Sequence, residues 1–299
     1  MRQALGHRSR GMVLVIVLWI VTLLSVMAGG FAYSMRIETQ LATSTVERAQ
    51  ARALTEAAVA YALAWQLDAQ AQQQQQWPAN GDVRDWSFGG GRVRIRVEDA
   101  AGRVSLNNAD PRFLRAVLLK IGVAEAEVDH LVAAIEDWRD GDDQVRPNGA
   151  ESLEYRAAGQ PGPKNGGFES LDELQQVLGI DREIAQRLTE IATTETRISG
   201  INPALASFAV LQAATGLDEP AITDYIAARA RAAREGTPPP PLPPSDGLSF
   251  FSGSRSSVYH IAVTAETASG TTVAAEAIAS TRNPPKGQAV RWLSWRLGR

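Results

Sequence analysis

The chain contains no cysteine, which excludes disulfides and thiolate chemistry. A domain built this way is held by packing, by partners or by a metal. Histidine is nearly absent as well. The three present, His7, His130 and His260, are too few and too scattered for histidine-based metal or triad chemistry. No Gly-x-Ser-x-Gly occurs and no ordered Ser/His/Asp set is legible, so the chain does not read as an enzyme. Paired carboxylates able to work as acid and base are the one feature on the other side. A strong excess of either charge is missing too. The formal net charge of -3 carries no basic footprint for nucleic acid. The most informative absence is local, since Met12 to Met35 contain no charged residue at all.

That apolar run follows Arg8-Ser9-Arg10-Gly11 directly. About 24 helical residues span roughly 36 Å, enough to cross a hydrocarbon core of ~30 Å. Arg2, Arg8 and Arg10 lie on one side only, which keeps the N-terminus cytoplasmic and sends the rest outward. A secretory signal would be shorter and would end in a small-x-small site. Ala28-Gly29-Gly30 offers one, but the helical pattern runs on past it. A plain anchor explains the length and leaves the Gly at the cytoplasmic edge unexplained. A type IV pilin-like signal explains both: a peptidase cuts between Gly11 and Met12, and the apolar run stays as the start of a long helix.

The helical pattern persists beyond the run. Leu54, Ala58, Tyr61 and Trp65 form one stripe, with Glu47, Arg48, Arg52 and Glu56 on the opposite face. One helix therefore reaches about Gln70 and ends in the glutamine tract at Gln72–Gln76. Val93, Ile95 and Val97 then alternate with charged residues after the turn Gly89-Gly90-Gly91, the period of a half-buried strand. A short strand follows at Val104-Ser105-Leu106. The strand signal returns at Val258–Ala265 and Thr271–Ile278 around Ser269-Gly270, and again at Ala289–Leu297.

A helical block, about Pro111 to Arg234, separates the two strand groups. It repeats a helix, a Gly turn and a second helix, with turns at Gly122-Val123, Gly179-Ile180 and Gly216-Leu217. Such units resemble DNA-binding helix-hairpin-helix motifs. Here Asp181 and Asp218 stand where a second Gly is expected, and a carboxylate there repels phosphate. The run Pro238 to Pro244 is a stiff connector. The expected class is α+β: a long N-terminal helix packed on an antiparallel sheet, with a large all-α domain inserted between strands. The expected boundaries are a leader at 1–11, a membrane half-helix at 12–35, a second half-helix at 36–76, first strands at 77–108, the insert at 109–237, the connector at 238–247 and last strands at 248–299.

An acidic cluster lies in the insert. Asp137, Asp140, Asp142, Asp143, Glu151 and Glu154 begin at a helix end and continue into a loop with Gly141, Pro147 and Gly149. Hard oxygen ligands on such a loop suit calcium, although the spacing is not that of an EF-hand. Spacing alone favours a merely solvated loop, as acidic loops of this kind usually are.

Taken in order, several segments resemble the minor pseudopilin K family of bacterial type II secretion systems. They are Arg10-Gly11-Met12 with its apolar run, Glu98-Asp99-x-x-Gly102-Arg103-Val104-Ser105-Leu106-Asn107, Asp137-Trp138-x-Asp140-x-Asp142, Gly149-Ala150-Glu151-x-x-x-Tyr155, Pro163-Lys164-Asn165-x-x-Phe168-x-Ser170-Leu171-x-Glu173-Leu174, and Ile201-Asn202-Pro203-Ala204. The resemblance covers nearly the whole chain. It implies a single-pass inner-membrane protein with its bulk in the periplasm, cut by prepilin peptidase and methylated on the new amine. It also implies structural calcium in the acidic region, where Ser152 departs from the family's usual Asp. The implied partners are the minor pseudopilins I and J, with secreted substrates or the outer-membrane channel beyond them, and no nucleic acid. Major pilins carry Glu at the fifth position of the cut chain, where it pairs with the amine of the subunit ahead. Here that position is Ile16, which marks a subunit with none ahead, at the filament tip. A minor pilin of a type IV pilus is the neighbouring reading.

Overall fold

The computed structural model describes residues 8–68, 77–244 and 250–298, with side chains from Met12 onward. Residues 1–7 of the leader, the glutamine tract and the end of the proline connector lie outside the described residues. Helix α1, Arg8–Leu67, is one continuous element of 60 residues. It contains no proline, and two hydroxyls of its membrane-length part are satisfied by the helix's own carbonyls. Thr22 donates to the Leu18 carbonyl and Ser25 to the Val21 carbonyl, each at 2.8 Å. The apolar residues from Met12 to Met35 stand exposed, without tertiary cover.

The second half of α1 behaves differently. Ala51, Leu54, Ala58 and Ala62, with Thr55, Val59, Leu63 and Gln66, are buried against the sheet. This stripe is one step away from the expected one. Leu54 and Ala58 belong to it, while Tyr61 and Trp65 sit half-buried at its margin. There Tyr61 stacks on Trp86 at 4.5 Å between ring centroids. Small residues on both sides, Ala58 and Ala62 from the helix and Ala265, Ala277 and Ala279 from the strands, let the helix approach closely. Glu47, expected on the solvent face, is partly covered and accepts a hydrogen bond from Thr271 Oγ1 at 3.0 Å.

The sheet has five antiparallel strands in the order β1-β2-β5-β6-β7. These are β1 (Asn80–Phe88), β2 (Gly91–Asp99), β5 (Val258–Glu266), β6 (Thr272–Ser280) and β7 (Arg291–Leu297). In β2, Val93, Ile95 and Val97 are buried toward α1 while Arg92, Arg94 and Arg96 point outward. Strand β1 was not foreseen. It is an edge strand exposed along most of its length, so it carries no alternation. The turn joining it to β2 did signal it, since Gly89 and Gly90 both take positive φ, as a two-residue hairpin requires.

Between β2 and β5 lies the helical insert with its own core, formed around Phe113, Leu114, Leu118, Leu131, Ile135, Tyr155, Leu188 and Leu211. Each such side chain, once buried, contributes about 1.5–3 kcal/mol of transfer free energy. Its helices are α2 (Pro111–Lys120), α3 (Glu125–Arg139), α4 (Ser152–Ala157), α5 (Arg182–Ile191), α6 (Phe208–Thr215) and α7 (Glu219–Glu235). The turn glycines Gly122, Gly179 and Gly216 all have positive φ. The helix expected around Leu171–Leu178 is a short 3-10 segment, Leu171–Gln176, instead. Strand β3 (Val104–Ser105) does not join the main sheet either. It pairs in parallel with β4 (Ala192–Thr193) and so belongs to the insert.

The seam between sheet and insert is where the Glu98–Asn107 segment acts. Arg103 and Glu98 form an ion pair, each only 13% exposed. The same guanidinium donates to the carbonyls of Ala192 (2.9 Å), Thr189 (3.0 Å) and Glu190 (2.9 Å), capping the C-terminal end of α5. A Cβ on Gly102 would lie 2.3 Å from the Leu205 carbonyl oxygen, so only glycine fits this crossing. Asn107 ties Phe168 and Thr194 to β3 through three hydrogen bonds. From the other side, buried Arg229 of α7 donates to the carbonyls of Pro203, Ala206 and Asn80.

Candidate functional site

Two features carry chemistry that the fold does not use up. The first is the exposed half of α1. Among the described residues it is the one helix long and apolar enough to cross a membrane. The Gly11–Met12 bond lies in its first turns, and Ile16 follows one turn later with half its surface exposed.

The second is the acidic segment after α3, whose six carboxylates divide into two groups. Asp137 is fully buried and structural. Its Oδ2 accepts the Ala150 amide at 2.9 Å and its Oδ1 accepts Arg146 Nη1 at 2.8 Å. A Cβ on Gly149 would fall 2.0 Å from that Oδ2, so the loop closes on Asp137 only because residue 149 is glycine. Asp143 is exposed and accepts the Ser152 hydroxyl at 2.7 Å, which holds its carboxyl below the usual range. Ser152 thus tethers Asp143 to the start of α4. Glu154 accepts the Glu151 amide at 3.0 Å as part of the cap of α4.

The remaining three converge. One oxygen each from Asp140, Asp142 and Glu151 lies within 4.8 Å of the others. Two of these residues carry stranded atoms: Asp140 Oδ1 and both Glu151 carboxylate oxygens are buried without a hydrogen-bond partner. Glu151 is only 3% exposed. Burial, followed by the charges of Asp137, Asp140, Asp143 and Asp142, pushes its pKa up to about 7. Orphaned buried oxygens cost free energy that a hard cation would recover. The donor set is all oxygen and suits calcium, with further ligands to come from carbonyls or water.

Arg146 went unnoticed in the sequence. It contacts both Asp137 and Asp140, which hold its proton more tightly than usual. With Arg139 it is one of two basic residues in the segment that holds the six acids, which was the available signal. Elsewhere Asp181 and Asp218 cap α5 and α7, accepting the amides of Ile184 (2.7 Å) and Ala221 (3.0 Å). Their carboxylates occupy the helix N-termini that would otherwise approach a phosphate.

Comparison with known proteins gives a consistent set. Residues 96–194 match the family described as "Type II secretion system (T2SS), protein K". The type II secretion system protein K of Klebsiella pneumoniae is 31% identical over 207 residues, covering 62% of this chain and 62% of that protein. A putative type II secretion system protein K of Escherichia coli K12 is 28% identical over 223 residues, covering 65% and 66% respectively. The chain thus spans less than two thirds of the length of either relative. Among solved structures, the fold resembles a chain of the GspK-GspI-GspJ complex from the type 2 secretion system of enterotoxigenic Escherichia coli. The TM-score is 0.51 at 14% identity, over 83% of this chain and 99% of that one.

Proposed function

We propose that this chain is a member of the type II secretion system protein K family, which its matched residues 96–194 resemble, and that it is a minor pseudopilin that caps the tip of a secretion pseudopilus. The observation that carries the reading is α1. One unbroken helix is apolar and bare in its first half and packed on its own sheet in its second. That is the form of a subunit stored in a membrane and drawn into a filament. Prepilin peptidase cuts Gly11–Met12 on the cytoplasmic side and methylates the new amine, while the folded part stands in the periplasm. Ile16 gives no carboxylate to a subunit ahead, which suits the first position. The insert adds bulk beyond the α1-and-sheet unit, too wide for the interior of a helical filament.

The partners are the minor pseudopilins I and J, as in the solved complex that this fold resembles. Together they initiate assembly and support export of folded proteins across the outer membrane. Asp140, Asp142 and Glu151 hold a structural calcium ion that offsets their mutual repulsion in a fold without disulfides. Co-expression of the full chain with I and J of the same cell, followed by affinity purification from detergent-solubilised membranes, tests the assembly role. The expected result is a stoichiometric complex of all three. Recovery of the chain without I and J, under conditions where I and J still associate, contradicts it.

A further inference from the structure

At the end of the sheet, beneath the insert, lies an open cavity of about 460 Å³. Four separate stretches of chain line it: 195–198 of the insert, 255–258 entering β5, 280–283 leaving β6, and 291–293 at the start of β7. Each stretch supplies one arginine, namely Arg197, Arg255, Arg282 and Arg291, against a single acidic residue, Glu195. Arg255 has the Asp99 carboxylate within electrostatic reach. The guanidinium groups of Arg197, Arg282 and Arg291 make no ion pair among the described residues, and all three are exposed. Some exposed arginines elsewhere do find carboxylates, as Arg92 finds Glu266 and Arg115 finds Glu125 and Asp129, so the distinguishing feature here is the convergence of several on one concavity. Converging unpaired cations on one concavity repel one another and favour an anion between them.

The shape of the surroundings narrows what that anion belongs to. Each guanidinium offers a planar fork that matches a carboxylate. A single exposed pair is worth little, so useful affinity needs several carboxylates held at once. Arg291 opens β7, which has β6 on one side and, among the described residues, no strand on the other. An extended segment can add to that free edge through its main chain while its alternate side chains reach the cavity. We infer that the cavity formed by Arg197, Arg255, Arg282 and Arg291 is a docking site for an acidic, extended segment of a partner protein, laid along β7. The inference stands apart from the family assignment, because it uses only this chain's charges and sheet edge.

The test uses the full chain in detergent micelles and a fluorescein-labelled Glu-Val-Glu-Val-Glu-Val peptide, read by fluorescence anisotropy. Saturable binding is expected, weakening strongly as salt rises from about 50 to about 500 mM. The matching Gln-Val peptide is expected not to bind. The double variant Arg282→Glu/Arg291→Glu is expected to lose at least about tenfold in affinity, and Arg94→Gln, remote on the outer face of β2, to bind as the parent does. Melting curves check that the double variant folds; if it does not, Arg197→Gln alone is expected to weaken binding severalfold. Equal binding of the Gln-Val peptide, or affinity unchanged in every cavity variant, overturns the proposal. Displacement of the peptide by inorganic phosphate at equal concentration also overturns it, reducing the cavity to a small-anion site.

Discussion

Replacing Arg103 by Met lowers the stability of the folded part by about 3–5 kcal/mol, the range for breaking a buried ion pair from one side. The substitution strands Glu98, which is 13% exposed and has lost its partner. It also bares the carbonyls of Thr189, Glu190 and Ala192, the last acceptors of α5. Met keeps most of the volume, so the loss reports charge and hydrogen bonds rather than a cavity. A second readout is independent of stability. His260 lies behind the seam, 3.3 Å from Thr193 Oγ1, and burial followed by the Arg103 charge lowers its pKa to about 3. In Arg103→Met that pKa rises, as followed by NMR titration of the imidazole. The comparison is Arg94→Met, whose exposed pair with Asp85 is 3.9 Å long and whose removal changes stability by at most about 0.5 kcal/mol. Equal denaturation midpoints for the two variants would show that the seam does not depend on Arg103.

If the proposed site binds calcium, the ion at about a hundred times its dissociation constant is expected to stabilise the protein by about 2.7 kcal/mol near neutral pH, and Glu151→Gln is expected to abolish most of that response. The sign of the pH dependence follows from Glu151. Its pKa is 4.5 in an ordinary setting and about 7 in the fold. Between those values the folded state keeps a proton that the unfolded chain has lost. Without a divalent ion, the Glu151 contribution is therefore fully present below about 4.5 and is lost as pH rises through about 7. Calcium needs the ionised carboxylate, so its affinity rises across the same window. Thermal melts in EGTA should show stability in the parent falling with pH relative to Glu151→Gln, and millimolar calcium should erase or reverse that difference. Melts that superimpose with EGTA and with calcium at every pH would remove the metal from the account.

The two predictions mark where local sequence pattern stops being informative. The Met12–Met35 run needs no context, since an uncharged stretch of that length has few other uses. Strands β2, β5 and β6 are legible because one face is buried and the other solvated. Strand β1 is not, because an edge strand bearing Asp82, Arg84 and Asp85 buries almost nothing. Val104–Ser105 reads as a strand, but its partner Ala192–Thr193 lies across most of the insert, beyond any local periodicity. The acidic cluster is a similar case. Nearness along the chain collected six carboxylates, while only the folded loop separates Asp137, claimed by Arg146 and Ala150, from the three that converge on one point. Arg103 and Arg229 carry the seam, and apart from the Arg103–Glu98 pair their partners are backbone carbonyls, which leave no pattern in the sequence.

The central claim is that α1 is a processed pilin-type helix rather than a simple anchor. N-terminal sequencing of the protein from membranes of cells with and without prepilin peptidase tests it most directly. The account predicts a chain beginning at Met12 only where the peptidase is present. A chain beginning at Met1 or Arg2 in both membranes would contradict it and leave α1 as a plain membrane anchor.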